Sequence, residues 1–305
     1  MRAVFKALPF GLALLLGAAT ARAEGTPIPH GALELIADKQ WLPVGGAIDV
    51  GLHFQLEKGW HIYWVNPGDS GEPPRVSWQL PSGITAGVTE AGATQAGKIE
   101  WPTPQRFQTS SSIVDYGYVD AVLLIVPLHV DANVAAQATA RIGADVKLLI
   151  CSHEMCVPGK AQLLLTLPVK SQPAAVDARN AELFTATRKS LPRPAPANWK
   201  LSATDAKDSF VLSVDVGHQV GDQMKDQQIA HAVFFPLVES QIENSAEQRL
   251  LRQANGFRLT LRKSDQLLKP IARLKGVLVI SGDNDHDDAS HKNQGYSIDV
   301  LIGKN

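Results

Sequence analysis

Two cysteines stand close together in a chain of 305 residues, in the stretch Cys151-Ser152-His153-Glu154-Met155-Cys156-Val157-Pro158-Gly159. An apolar run, 146–150, leads into the first, and another, 161–167, follows the glycine. Four intervening residues let the chain turn back, so the two sulfurs can approach bonding distance. Three chemistries fit this pair. A structural staple of so small a ring contributes only about 2 kcal/mol, and a chain with a full apolar core hardly needs it. Short-loop disulfides in turns tend to be exposed and easily reduced, and polar His153 and Glu154 argue for an accessible loop, which favours thiol–disulfide exchange. The spacing is nevertheless not the thioredoxin-type Cys-x-x-Cys. The third chemistry is Cu(I) ligation, since Cys151, His153, Met155 and Cys156 are soft or borderline donors within six positions. Neighbours on an extended segment point to opposite faces, so convergence of all four needs a special loop shape.

Around the pair, a protonated His153 and the nearby Lys160 would stabilise a thiolate, and Glu154 would oppose both. Asp69 and Glu72 are further candidates for an acid near the site. Gly68-Asp69-Ser70-Gly71 mimics a serine-protease nucleophile segment, but no accompanying histidine signature supports a triad, and its proline-rich surroundings read better as a rigid loop. Trp60, Tyr63, Trp64, Trp78 and Trp101 could stack on a sugar, although such residues are more often packing anchors. Asp283-Asn284-Asp285-His286-Asp287-Asp288 with His291 lacks the calcium-loop pattern and reads as a solvated hairpin loop.

The elements that must position the cysteines are strands. Runs at 33–37, 47–56, 60–64, 75–79, 121–130, 138–151 and 162–169 alternate or are apolar throughout, with Gly- and Pro-rich connections between them. That spacing predicts an all-β, immunoglobulin-like antiparallel sandwich over 24–170. Residues 174–190 instead carry apolar side chains at helical spacing, with acids early and bases late, and Leu191-Pro192-Arg193-Pro194-Ala195-Pro196 makes a stiff stop. This helix and Pro-rich linker, 171–198, is expected to lead into a second, smaller β-sandwich at 199–305. Its strands are expected at 199–203, 209–216, 231–236, 248–253, 257–262, 276–281 and 296–301.

Composition narrows the function further. Lys+Arg 29 nearly cancels Asp+Glu 30, which argues against nucleic acid as a partner. Two cysteines are too few for a disulfide-framework mini-protein or a four-cysteine zinc site. Residues 1–23 have the layout of a secretory signal peptide: Arg2 and Lys6, an apolar run, then Ala21-Arg22-Ala23. Cleavage after Ala23 would deliver a soluble chain to an exported, disulfide-permissive compartment.

Four pieces then occur in a characteristic order. They are Trp60-His61-Ile62-Tyr63-Trp64-Val65-Asn66-Pro67-Gly68-Asp69-Ser70-Gly71-Glu72-Pro73-Pro74, Ile99-Glu100-Trp101-Pro102-Thr103-Pro104-Gln105-Arg106-Phe107, Tyr116-Gly117-Tyr118, and the two-cysteine hairpin with Pro158-Gly159. Together they resemble the periplasmic N-terminal domain of DsbD-type thiol:disulfide interchange proteins, particularly the ScsB-like branch linked to copper tolerance. The resemblance covers residues 31–169 well and the second half only loosely. It implies an immunoglobulin-like domain in the periplasm whose redox pair matches Cys151 and Cys156, acting as a protein-disulfide reductase without a cofactor. A membrane electron carrier or thioredoxin-like protein would be the reductant, and exported thiol or disulfide proteins the substrates. A copper-binding protein and a purely structural interaction domain with a staple disulfide are the alternatives.

Overall fold

Leu33, Leu35 and Ala37 are buried while their neighbours are not, the period of two that a strand with one face in a core must show. The computed structural model describes residues 25–87, 98–110, 112–217, 229–282 and 294–304, and almost all of it is built this way. The segment 1–23, expected to be a signal peptide, and the 283–291 acidic run lie outside the described residues. Strands of the first half are β1 (Thr26–Ile28), β2 (Gly31–Ala37), β3 (Leu42–Pro43), β4 (Ala47–Leu56), β5 (His61–Gly68) and β6 (Arg75–Gln79). They continue with β7 (Ile84–Ala86), β8 (Gln105–Gln108), β9 (Val114–Val119), β10 (Ala121–Val130), β11 (Thr139–Cys151) and β12 (Cys156–Lys170). One sheet runs β1-β2-β4-β10-β7 and the other β3-β12-β11-β5-β9-β8, with β6 also paired to β11. Leu52 and Phe54 from the first sheet meet Ile62, Trp64, Ile142 and Ile150 from the second in one core, an immunoglobulin-like sandwich.

Two differences from the sequence expectation bear on the site. Strand β12 begins at Cys156, not at 162, because Pro158 and Gly159 lie within the strand rather than in a turn. Proline is tolerated there because the far side of β12 is paired only at Val169 and Lys170, so no ladder needs its missing N–H. Strands β8 and β9 were not expected as strands. Val114, Asp115, Tyr116, Gly117 and Tyr118 are all buried, so β9 shows no alternation to read.

Helix α1 (Ala181–Ser190) is shorter than 174–190. Residues 175–177 are drawn into pairing with 38–40, and Asp177 caps the backbone N–H of Arg179 in a local turn (3.1 Å) that competes with helix. Phe184 packs the helix onto Leu123 and Ile125, and Arg188 in its last turn bonds Asp38 at 2.9 Å.

The second half contains β13 (Arg193–Pro194), β14 (Lys200–Asp205), β15 (Ser209–Asp215), β16 (Ile229–Pro236), β17 (Arg249–Gln253), β18 (Gly256–Arg262), β19 (Arg273–Gly282) and β20 (Gln294–Lys304). Seven of them follow one path, β16-β19-β20-β14-β15-β18-β17, in a single eight-stranded sheet whose strands share a core through Phe210, Leu259, Phe234 and Leu278. The Pro-rich linker is itself stitched in, since Arg193 and Pro194 pair with Tyr296 and Ser297 of β20. Strands β16 and β19 are buried on both faces. Phe234, Leu278 and Ile280 fill the second core, whereas Phe235, Val277 and Val279 belong to the first. The two halves therefore share packing and not only a linker.

Candidate redox site

Strands β11 and β12 form a continuous antiparallel ladder from Thr139↔Pro168 to Cys151↔Cys156, so the two cysteines are directly opposed at its end. The four residues between them close the hairpin. Ser152 N–H donates to the Met155 carbonyl at 2.8 Å, and Ser152 Oγ accepts from the N–H groups of Glu154 (3.1 Å) and Met155 (3.2 Å), a serine-templated turn. Opposed cysteines with Cα atoms 4.0 Å apart form a disulfide. Its two ends differ: Cys151 is 1% exposed, while Cys156 lies open to solvent.

Residues in register on adjacent strands share a face of the sheet. His61 on β5 is opposite Cys151, which places His61, Cys151 and Cys156 in one row, and Tyr63, two residues on, shares that face. Ile62 and Trp64 point the other way, into the core. The ring of Phe107 on β8 stacks on His61 at 5.1 Å, and Tyr63 meets His61 edge-on at 5.2 Å. The Tyr63 hydroxyl lies 3.8 Å from Cys156 Sγ. Because that sulfur is bonded, the hydroxyl is the only one of the two with a proton to offer.

Buried polar groups surround this row. Asp115 on β9 is 1% exposed. It accepts from Ser70 N–H at 3.0 Å, from Ser70 Oγ at 2.9 Å and from Thr109 Oγ1 at 2.9 Å. Burial, reinforced by the Asp115 charge and only partly offset by Ser70, pushes the Tyr63 hydroxyl up to about 12, so it keeps its proton at any physiological pH. Burial also lowers the His61 imidazole from its ordinary 6.5, with Asp115 pulling the other way. His61 Nε2 is buried with no hydrogen-bond partner.

The sequence-derived candidates scatter. Cys151 and Cys156 are together; His153, Glu154 and Met155 are exposed at the hairpin tip, Met155 at 56%. Lys160 is exposed four residues along β12 from Cys156, about 13 Å at strand rise, where screening leaves it little influence on the sulfur. Asp69 is committed elsewhere: Oδ2 accepts from Val114 N–H (2.8 Å) and Oδ1 from Asn244 Nδ2 (2.7 Å). Glu72 pairs with Arg75 at the surface. The 68–71 segment is a rigid loop, with Ser70 bonded to Asp115 instead of a histidine. Gly71 (φ +82°) lies so close to the Tyr63 ring that a Cβ there would sit 2.1 Å from Cζ. Trp64 is a core residue, Trp78 and Trp101 pack at the margin of that core, and Trp60 stacks on His30 at 3.5 Å. Among the described residues no three His, Cys, Asp or Glu side chains are grouped to hold a metal ion, so the Cu(I) set is not assembled in this disulfide-bonded structure. His61 and Phe107, which the sequence offers only as parts of longer motifs, and Asp115 and Asn244 are the site residues that sequence reasoning misses. Only the face-sharing of His61 and Tyr63 could have been seen from spacing, because the register that brings them to the cysteines crosses strands.

The family model for the N-terminal region of thiol:disulfide interchange protein DsbD matches residues 34–168, which contain both cysteines. Residues 34–168 form a DsbD-type N-terminal domain. Among solved structures, the N-terminal periplasmic domain of ScsB from Proteus mirabilis shares the fold over both halves. It is 17% identical, with a TM-score of 0.61, over 90% of this chain and 94% of that one. The major pilin subunit BcpA of Bacillus cereus (9% identical, TM-score 0.26, 91% of this chain and 69% of that one) matches too loosely for any inference. The same holds for domains 5-6 of the S-layer protein SbsC (12%, 0.19, 90% and 99%). No curated protein matches. In the DsbD-type domain the hairpin turn, the Tyr63 hydroxyl and the 68–71 loop thus surround the Cys151–Cys156 disulfide.

Proposed function

We propose that this chain is an exported thiol–disulfide exchange module of the periplasm that carries reducing equivalents through Cys151 and Cys156. The observation that supports it best is the unequal burial of the two cysteines at an open hairpin end. A structural staple has no need of an exposed sulfur, whereas exchange requires one for attack and one held back to resolve. A partner's thiolate attacks Cys156 Sγ, the S–S bond breaks, and Cys151 leaves as a thiolate that takes a proton. The partner's second thiolate then attacks the partner's own sulfur in the mixed disulfide and releases Cys156, so two electrons and two protons are delivered. The reverse sequence reduces an exported substrate disulfide.

A dithiol of the thioredoxin-like class, or a membrane electron carrier, fits as the reductant. The exposed apolar Met155 beside Cys156 offers a contact for such a partner. Among the described residues no helix is long and apolar enough to cross a membrane. The test is trapping. Cys151→Ser, which leaves the Cys156 thiol, should form a stable mixed disulfide with a thioredoxin-like protein whose own resolving cysteine is replaced by serine, and Cys156→Ser should form far less. Equal trapping by both variants would overturn the assignment of Cys156 as the attacked sulfur, and a wild-type disulfide that no dithiol opens would overturn the proposal and leave a staple.

A further inference from the structure

Asn244 lies in the second half of the chain, between β16 and β17, and is buried, yet three hydrogen bonds tie it to the first half. Tyr116 Oη donates to its Oδ1 at 2.9 Å, its Nδ2 donates to Asp69 Oδ1 at 2.7 Å, and Arg106 Nη2 donates to its carbonyl at 2.9 Å. These partners sit on three pieces of chain around the redox pair. Arg106 precedes Phe107 on β8, Tyr116 follows Asp115 on β9, and Asp69 heads the loop after β5. That loop is fixed at three further points: Val114 N–H donates to Asp69 Oδ2, Asp69 N–H donates to the Val114 carbonyl at 2.9 Å, and Ser70 donates to Asp115. It reaches the site at Gly71, whose backbone presses on the Tyr63 ring, and Tyr63 places its hydroxyl 3.8 Å from Cys156 Sγ.

From this line of contacts we infer that Asn244 is a positioning residue for the redox pair. Through Asp69 and the 68–71 loop it holds the Tyr63 hydroxyl against the Cys156 sulfur, so the second half of the chain sets the reactivity of a cysteine it does not touch. The inference rests on the thiol-exchange reading and gives the second half a part in it. When the disulfide opens, the Cys156 thiolate accepts a hydrogen bond from Tyr63, which favours the charged form and lowers the thiol pKa. Without Asn244 the loop loses one of its anchors, the ring gains freedom, and that hydrogen bond weakens.

The test uses the chain in a Cys151→Ser background, where Cys156 is a free thiol and no disulfide has to be opened. Alkylation of Cys156 by iodoacetamide is followed by mass spectrometry across a pH series. Tyr63→Phe should alkylate about tenfold more slowly near neutral pH, the loss of one hydrogen bond to a charged sulfur. Asn244→Ala should be slower by about threefold, with its pH profile displaced to higher pH, as expected for a partial loss of the same bond. The double variant should be no slower than Tyr63→Phe alone, because both act on one interaction. Gln248→Ala, which removes bonds to Phe234 within the second half, should alkylate at the parent rate. The other ionisable groups near the sulfur are His61 on β5, Asp115 on β9, His153 and Glu154 in the turn, and Lys160 along β12; all are retained in every variant. Should Asn244→Ala fail to fold, Asp69→Ala cuts the same link from the first half and carries the same expectation. A parent rate for the link variant, or a double variant slowed by the product of the two single effects, would overturn the inference. Failure of the thiol-exchange reading would appear separately, as a wild-type disulfide that resists a dithiol.

Discussion

Reduction of Cys151–Cys156 opens a ring closed across a sequence separation of five, and loop-closure entropy assigns a ring of that size about 2 kcal/mol. The folded state adds nothing to this. The cysteines end a long ladder, and the turn between them is held by its own Ser152 hydrogen bonds, so the unlinked chain ends already meet in the folded state. The core below, with Ile142, Val146, Leu148 and Ile150 of β11, involves neither sulfur. Replacing both cysteines by serine should therefore lower stability by at most about 2 kcal/mol, read as roughly 4–8 °C in melting temperature. The near-ultraviolet circular dichroism of the buried aromatics Tyr63, Trp64 and Tyr116 should persist. The assay is paired urea and thermal unfolding of wild type, reduced wild type and the double serine variant. Loss of the fold on reduction, or a drop beyond about 4 kcal/mol, would mean that the bond is a structural staple, and the exchange reading would fall.

Three further outcomes follow from the same geometry. The buried imidazole of His61 is held below its ordinary 6.5, so the unfolded chain takes up a proton before the folded one does as pH falls. Stability fully present above pH 6.5 should decline below it, and His61→Phe should flatten that acid-side slope in urea midpoints taken across the pH range. Phe235 packs its ring against Trp64 (6.3 Å) and Tyr116 (5.1 Å) from the second half. Phe235→Ala should cost about 3–5 kcal/mol and separate what should be one unfolding transition in wild type into two, as calorimetry would show. Gly71→Ala combines a positive φ with a Cβ inside the Tyr63 ring contact; it should destabilise by more than about 1 kcal/mol and, in the Cys151→Ser background, slow Cys156 alkylation, and an unchanged rate there would disconnect the loop from the sulfur.

The strands at 47–56, 75–79 and 121–130 were legible to the residue, because turn residues bracket each of them. The cysteine hairpin was legible for a different reason: two apolar runs flank a short polar connection, and the ladder between them is local. What could not be read was the company the cysteines keep. His61 reaches them only through a single register pair of β5 with β11, and β8 and β9, which bring Phe107 and Asp115, carry too little alternation to declare themselves. Asp115 looks like a surface acid in sequence; it is buried because Ser70 and Thr109 supply the donors that its burial demands. Asp69 misled in the opposite sense, a candidate acid for the site whose oxygens are spent on holding chain to chain.

The continuous apolar run Val277-Leu278-Val279-Ile280 is the feature that joins these observations. A strand in an antiparallel sandwich that faces water on one side alternates; one that reads apolar throughout must be covered twice. Here the second cover is the first half of the chain, with Val277, Val279 and Phe235 set in its core. Each such side chain is worth roughly 1.5–3 kcal/mol when buried, so lifting the second half away would expose a seam worth several kcal/mol. Three hydrogen bonds at Asn244, of which the one from Tyr116 is buried, and a buried one from Asn66 Nδ2 to the Pro236 carbonyl at 2.7 Å would go with it. A redox hairpin that needs little from its own disulfide for stability can leave that bond free to open, provided the groups around the sulfurs are held from elsewhere. The seam with the second half supplies that hold, which is why the two halves are packed and not merely tethered.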